Sequence, residues 1–444
     1  MLRPDPVHAL VPPAVAQPST EDWPELGYPT PGARTRVSAA VARRLFVSAV
    51  ERLDVTVRLG DGDTARTIGR GGPLAVVHRP DELFARLGRD QLIGWGEAYL
   101  TGAWDAPDLG AFLTVLAAEL PSLVPGPLQK LRGAVVHRPP MRHRNEVHNT
   151  RANIAHHYDL SNDLFQLFLD PSLSYSAALY DASLVDHGDH LRAGTPRDAH
   201  ESDALEAGQG RKIERLLDEA GVGVGTRVLE IGSGWGELAI RAARRGATVR
   251  TITLSTEQQA LARQRIAAAG VADRVDVDLC DYRDVAGEYD AVLSVEMIEA
   301  VGHEYWSTYF RTIDRVLAPG GRVAIQAITM PHDRMLATRR TYTWINKYIF
   351  PGGFLPSVQV LDDVTRAHTR LRLTGRLAMG AHYAATLRAW DERFLNAGEE
   401  VAALGFDETF RRMWHFYLEY SRAGFASGYL DVWQLTFTRP EDAR

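Results

Sequence analysis

From about residue 210 onward, amphipathic stretches alternate with short apolar runs. "GRKIERLLDEAG" spaces isoleucine and leucine three and four apart, as a helix does, and precedes "TRVLEIG", a run short enough to be a buried strand. The couplet repeats as "GELAIRAARRG" before "ATVRTITLS", and as "TEQQALARQRIAAAG" before "RVDVDLCD". "YDAVLSVEM" and "GGRVAIQAIT" add two strands with helical "YWSTYFRTIDRVLAPGG" between them, and a helical, aromatic-rich tail closes on strand-like "VWQLTFT". The alternation predicts a doubly wound α/β domain whose ligands lie beyond the carboxyl ends of its strands.

The earlier chain reads differently. Residues 1–38 are rich in proline and polar side chains, which predicts a disordered tail. Residues 39–125 predict a small domain with strands "VTVRLG" and "LAVVHR" and an amphipathic helix "DLGAFLTVLAAEL". Residues 126–150, broken by Pro139-Pro140, read as a basic linker: either a solvated hinge or, through Arg138, Arg142 and Arg144, a strip for anionic headgroups. Residues 151–444 then form the large domain.

Composition narrows the function. A formal charge of -6 over 444 residues argues against a chain-wide nucleic-acid footprint. Cys280 is the only cysteine, which excludes an intrachain disulfide and a cysteine-built metal site. No apolar run is long enough to span a bilayer, and the first twenty residues lack a signal-peptide pattern. A cytoplasmic protein, at most peripherally held at the inner face of the cell membrane, is the expectation.

Two stretches carry candidate chemistry. "VLEIGSGWGE" sets Gly232, Gly234 and Gly236 between a strand and a helix, two residues after Glu230. Its G-x-G-x-G spacing departs from the dinucleotide fingerprint and suits a ligand without pyrophosphate, such as S-adenosylmethionine. Thr253, Leu254 and Gln258 follow the second strand, where an acid for ribose hydroxyls is missing; after the third, Asp281 is available for an adenine amino group and Tyr282 for stacking. The second stretch, "SVEMIEAVGHEYW", puts Glu296 and Glu299 where an apolar strand stops. They fit an acid–base role or, more plainly, carboxylates at a helix start. His156 and His157 are adjacent on a helix and lack ligand spacing, so no metal site is expected.

With "AHHYDLSNDLFQLFLDPSLSYS", "DYRD", "MIEAVG", "YIFPGGFLPS" and "MGAHYAATLRAW", these motifs resemble the cyclopropane-fatty-acyl-phospholipid synthases and their mycolic-acid-modifying relatives, over about residues 150–440 and more weakly before. The resemblance implies a Rossmann-like class I methyltransferase fold with a seven-stranded sheet plus a smaller N-terminal domain. It implies one-carbon transfer from S-adenosylmethionine to the cis double bond of a phospholipid acyl chain, at a membrane surface. Tyr175 and Ser176 match positions at the methionine end of the cofactor. A bicarbonate ion would be held at Glu299, Tyr383, the Ile328 backbone and two further positions. The cysteine and histidine expected at those two read Ala177 and Gln326. With these ligands replaced, Glu296 or Glu299 could take the proton instead. That departure favours a mid-chain methylene product, for later reduction by a separate enzyme, over a cyclopropane. Tyr309, Phe310, Tyr342, Trp344, Tyr348 and Phe350 are candidates for shielding a cation. A small-molecule O- or N-methyltransferase and a non-catalytic lipid binder are the readings of other classes. An oligomer is compatible with all of them.

Overall fold

The computed structural model describes residues 17–19, 21–60, 65–119, 161–181 and 200–440, with side chains from 204 in the last segment. The basic linker and the His156–His157 pair lie outside the described residues. The described residues fall into two compact units: one holds those before 120 with Tyr342–Ile345 and Gly398–Ser427, the other the remainder.

The first unit is built on a four-stranded sheet of order β2-β1-β3-β4, with β1 Thr56–Leu59, β2 Arg66–Gly69, β3 Leu74–Val77 and β4 Trp104–Asp105. Alternation along β1 buries Val57 and Leu59, and β3 is buried nearly throughout. Order begins earlier than the sequence suggests. Pro24–Leu26 forms a 3-10 turn, Leu26 is buried, and Arg86 donates to its carbonyl at 2.5 Å. Helix Glu408–Ala426, read from sequence as part of the large domain, completes this unit. Its Arg412 is buried, donates to Asp105 at 2.8 Å and lies 4.1 Å from the Tyr99 ring. A guanidinium held by both a carboxylate and a π face is strongly fixed in place.

The second unit is the α/β domain. Its strands are β5 Arg227–Ile231, β6 Thr248–Thr253, β7 Val275–Leu279, β8 Tyr289–Val295, β9 Leu317–Thr329, β10 Arg372–Ala378 and β11 Asp431–Thr438. They form one sheet of order β10-β11-β9-β8-β5-β6-β7. β5 through β9 run parallel; β11 is antiparallel to β9 and β10 antiparallel to β11. Strand pleating sends alternate residues to opposite faces. Leu229 and Ile231 of β5 therefore join Tyr309, Phe310 and Ile325 in one core, while Val228 joins Leu216, Ala239 and Val249 in the other. Each core is covered by helices, as a parallel sheet requires. Strand order reverses between β5 and β8, which makes the carboxyl edge there the natural crevice.

Candidate active site

The turn after β5 uses its glycines for different reasons. Gly232, Gly234 and Gly236 all have positive φ, of 99°, 48° and 91°. A Cβ on Gly232 would lie 2.4 Å from Met297 Cγ, so a side chain there would displace Met297 as well as strain the turn. A Cβ on Gly234 would meet nothing within 4 Å, leaving open space beside bare backbone. Glu230, 3% exposed, has one carboxyl oxygen without a hydrogen-bond partner among the described residues. Burial pushes its pKa up to about 8, partly offset by Thr251 and by the charge of Lys212. Open backbone and an unmatched buried acceptor fit a polar, cationic ligand such as S-adenosylmethionine.

The other expected cofactor residues lie along the same edge. Thr253 donates to Gln258 at 2.9 Å, so the two fasten the start of helix Thr256–Ala268 around Leu254. Asp281 is taken up by Arg283, which binds it through its backbone N–H at 3.0 Å and its guanidinium at 2.8 and 2.5 Å. Tyr282 is half-buried and meets Tyr309 edge-on at 5.3 Å. Arg283 links Asp281 to Tyr282, its guanidinium also lying 5.5 Å from the centre of the Tyr282 ring. Tyr175 stacks on Trp390 with 5.2 Å between centroids. Ser176 Oγ accepts a 2.7 Å hydrogen bond from Lys212.

Two candidate carboxylates lie where β8 ends. Glu296 follows β8 with a φ of 50°, a left-handed conformation that costs a non-glycine residue about 1 kcal/mol. Its N–H donates to the Gln326 carbonyl at 2.8 Å, which pins the turn. One carboxyl oxygen of Glu296 accepts from Ala177 N–H at 2.9 Å and from Gln326 Nε2 at 2.8 Å, and Tyr383 also hydrogen-bonds the carboxyl. Desolvation raises its pKa, while these donors and Lys212 pull the other way. Gln326 is itself clamped, accepting from Gln434 at 3.1 Å and donating to the Ala177 carbonyl at 3.1 Å. Glu299 accepts from Ile328 N–H at 2.5 Å, and its second oxygen has no partner among the described residues. Desolvation, then the neighbouring Glu296 charge, push its pKa up to about 8. Burial thus raises both carboxyls, and the charge of Glu296 adds to the rise at Glu299.

Sequence reading missed several members. Lys212 is 2% exposed, its pKa brought down to about 8 by burial against the attraction of Glu296, Asp170 and Glu230. Nothing in a helical "GRKIERLL" marks that lysine as inward-facing. Gln434 sits on β11, and Trp390 packs edge-on against Tyr383 with 6.0 Å between centroids. Phe165, Phe168, Tyr175 and Trp390 form a linked aromatic cluster beside Tyr383. The aromatic stretch expected to line the site divides instead. Tyr309 and Phe310 fill the sheet core, and Trp344 packs edge-on against Phe416 in the first unit. Among the described residues no group of side chains could hold a metal ion, and no helix is long and apolar enough to cross a membrane.

A sheet of this order, with a glycine turn after its first parallel strand, defines a class I S-adenosylmethionine-dependent methyltransferase. The crystal structure of the mycolic acid cyclopropane synthase CmaA1 complexed with SAH and CTAB matches with a TM-score of 0.56 at 28% identity, over 65% of this chain and 97% of that one. The chain belongs to the mycolic acid cyclopropane synthetase family, whose profile matches residues 145–435. Similarity extends beyond that segment. The tuberculostearic acid methyltransferase UfaA1 of Mycobacterium tuberculosis is 51% identical over 95% of this chain and 96% of its own. The cyclopropane-fatty-acyl-phospholipid synthase of Escherichia coli is 34% identical over 82% and 87%.

Proposed function

We propose that the protein transfers a one-carbon unit from S-adenosylmethionine to the cis double bond of an unsaturated phospholipid acyl chain, with Glu296 as the base built into the chain. One observation carries this reading. The residues standing where the family resemblance places bicarbonate ligands, Ala177, Gln326 and Tyr383, all bond the Glu296 carboxyl. A carboxylate thus occupies the donors that would hold a planar carbonate-type ion, and no bicarbonate is needed.

When bound, S-adenosylmethionine supplies an electrophilic methyl carbon. The glycine turn, Glu230 and the Ser176–Lys212 pair would hold it, and Tyr175 with Trp390 would wall the site. The alkene π pair would form the new carbon–carbon bond to that methyl as its bond to sulfur breaks, releasing S-adenosylhomocysteine and leaving a cation on the adjacent acyl carbon. The aromatic cluster around Tyr383 softens that charge and excludes water. After a hydride shift, Glu296 accepts a proton from the added methyl, leaving an exocyclic methylene; without the shift, proton loss closes a cyclopropane. The name of the 51% identical relative, a methyltransferase rather than a cyclopropane synthase, supports the methylene product. Such a product leaves a double bond for a separate reductase to saturate. An acyl substrate of this kind resides in a bilayer, so the protein works at a membrane surface.

Incubation with methyl-labelled S-adenosylmethionine and oleoyl phospholipid tests the reading. Label in the acyl chains is expected; label only in a polar small-molecule acceptor would point to the O- or N-methyltransferase class instead.

A further inference from the structure

The catalytic reading leaves one surface of the first unit unused. Helix Ala33–Val50 contains four arginines and no acid. Its inner face is committed to packing. Phe46 meets Phe84 at 5.7 Å and Trp95 at 5.4 Å, and a Cβ on Gly88 would fall 2.6 Å from the Ser38 carbonyl carbon. The outer face carries Val37, Val41 and Leu45, which are 65%, 54% and 44% exposed. Four-residue spacing aligns them in a single stripe along the helix. Arg34, Arg36 and Arg44 are exposed around it and have no ion-pair partner among the described residues.

An apolar stripe in water is unfavourable, and its surroundings say what can cover it. A second copy of the same face would set unneutralised arginines against arginines. An anionic surface that is apolar beneath its charges satisfies both parts at once. We propose that this helix docks the protein on an anionic phospholipid bilayer, with Val37, Val41 and Leu45 at the headgroup–acyl boundary and Arg34, Arg36 and Arg44 on lipid phosphates. The proposal rests on the phospholipid substrate assigned above, and adds the face and headgroup charge by which the bilayer is met. Each basic residue near such a surface strengthens binding about fivefold, so the three together supply roughly a hundredfold.

The test is vesicle flotation of the full chain without cofactor, using phosphatidylcholine alone or mixed with phosphatidylglycerol. Wild type should float with the mixed vesicles and release as salt is raised. R34Q/R36Q/R44Q should bind roughly a hundredfold more weakly and lose most of the salt dependence. V37S/V41S/L45S should also lose binding, by at least about tenfold. Arg43 is left in place because its guanidinium lies over the Phe84 ring at 5.6 Å. Unchanged thermal midpoints and S-adenosylmethionine affinity establish that both variants are folded. Wild-type flotation by both variants would overturn the proposal. So would a fall in solution mass of V37S/V41S/L45S with flotation intact, which would make the face an interface between copies. Because flotation needs no turnover, failure of acyl labelling with docking intact counts against the catalytic reading alone.

Discussion

Replacing Glu296 by glutamine separates basicity from shape. The glutamine carbonyl oxygen can still accept from Ala177 N–H and Gln326 Nε2, bonds of 2.9 and 2.8 Å in the native site, so the turn keeps its anchors. What disappears is a proton acceptor and the negative charge facing Lys212. A positioned general base contributes about 10²–10⁴-fold, or roughly 3–5 kcal/mol of barrier. Glu296→Gln should therefore lower kcat by at least about a hundredfold, with S-adenosylmethionine affinity changed by less than about tenfold. The assay is single-turnover label transfer to oleoyl phospholipid, paired with calorimetric cofactor binding. Glu299→Gln should cost less, because at neutral pH its carboxyl, with a pKa near 8, is already mostly protonated. A Glu296→Gln enzyme within about tenfold of wild type, beside an inactive Glu299→Gln enzyme, would refute the assignment of the base.

Lys212→Met removes a cation that holds the Glu296 pKa down, so the acid limb of kcat/KM should move to higher pH; an unmoved limb shows that the lysine does not act on the base. Gly232→Ala forces a Cβ to 2.4 Å from Met297 at a φ of 99°, and should abolish cofactor binding in calorimetry while Gly234→Ala, facing open space at a φ of 48°, disturbs the fold less. Glu299 is raised above its unfolded value, so its native state holds a proton that the unfolded chain has lost between about pH 4.5 and 8. That contribution is fully present below the unfolded value and declines as pH rises, by up to about 1.4 kcal/mol per unit. Glu299→Gln should accordingly raise the thermal midpoint more at pH 8 than at pH 5; equal shifts at both would contradict the raised value. Transfer in carbonate-depleted buffer should run at the full rate, whereas rescue by added bicarbonate would place an ion beside Glu296.

The parallel core strands were legible because each pairs a short apolar run with an amphipathic helix of clear period. β10 was not: Arg372–Ala378 is an edge strand with no buried residue, and its sequence RLTGRLA, interrupted by Gly375, does not alternate apolar with polar positions. Of the first unit, β1 and β3 stood out, while two-residue β4 and the distant helix Glu408–Ala426 are defined by contacts such as Arg412–Asp105, which local pattern does not show. In the site, motif placed Gln326, Ile328 and Tyr383, but their bonding partners were invisible. That Ile328 binds Glu299 while Gln326 and Tyr383 bind Glu296 depends on the left-handed turn at Glu296. Lys212 was hidden for a different reason. A buried lysine is tolerated only where carboxylates gather around it, and Glu296, Asp170 and Glu230 come from well-separated parts of the chain.

The central claim is the fate of the transferred carbon. Transfer from ¹³C-methyl S-adenosylmethionine to oleoyl phosphatidylglycerol, read by NMR of the released fatty acid, follows that carbon directly. Vinylidene protons on the labelled carbon are the predicted result; upfield cyclopropane ring protons in their place would contradict the methylene assignment.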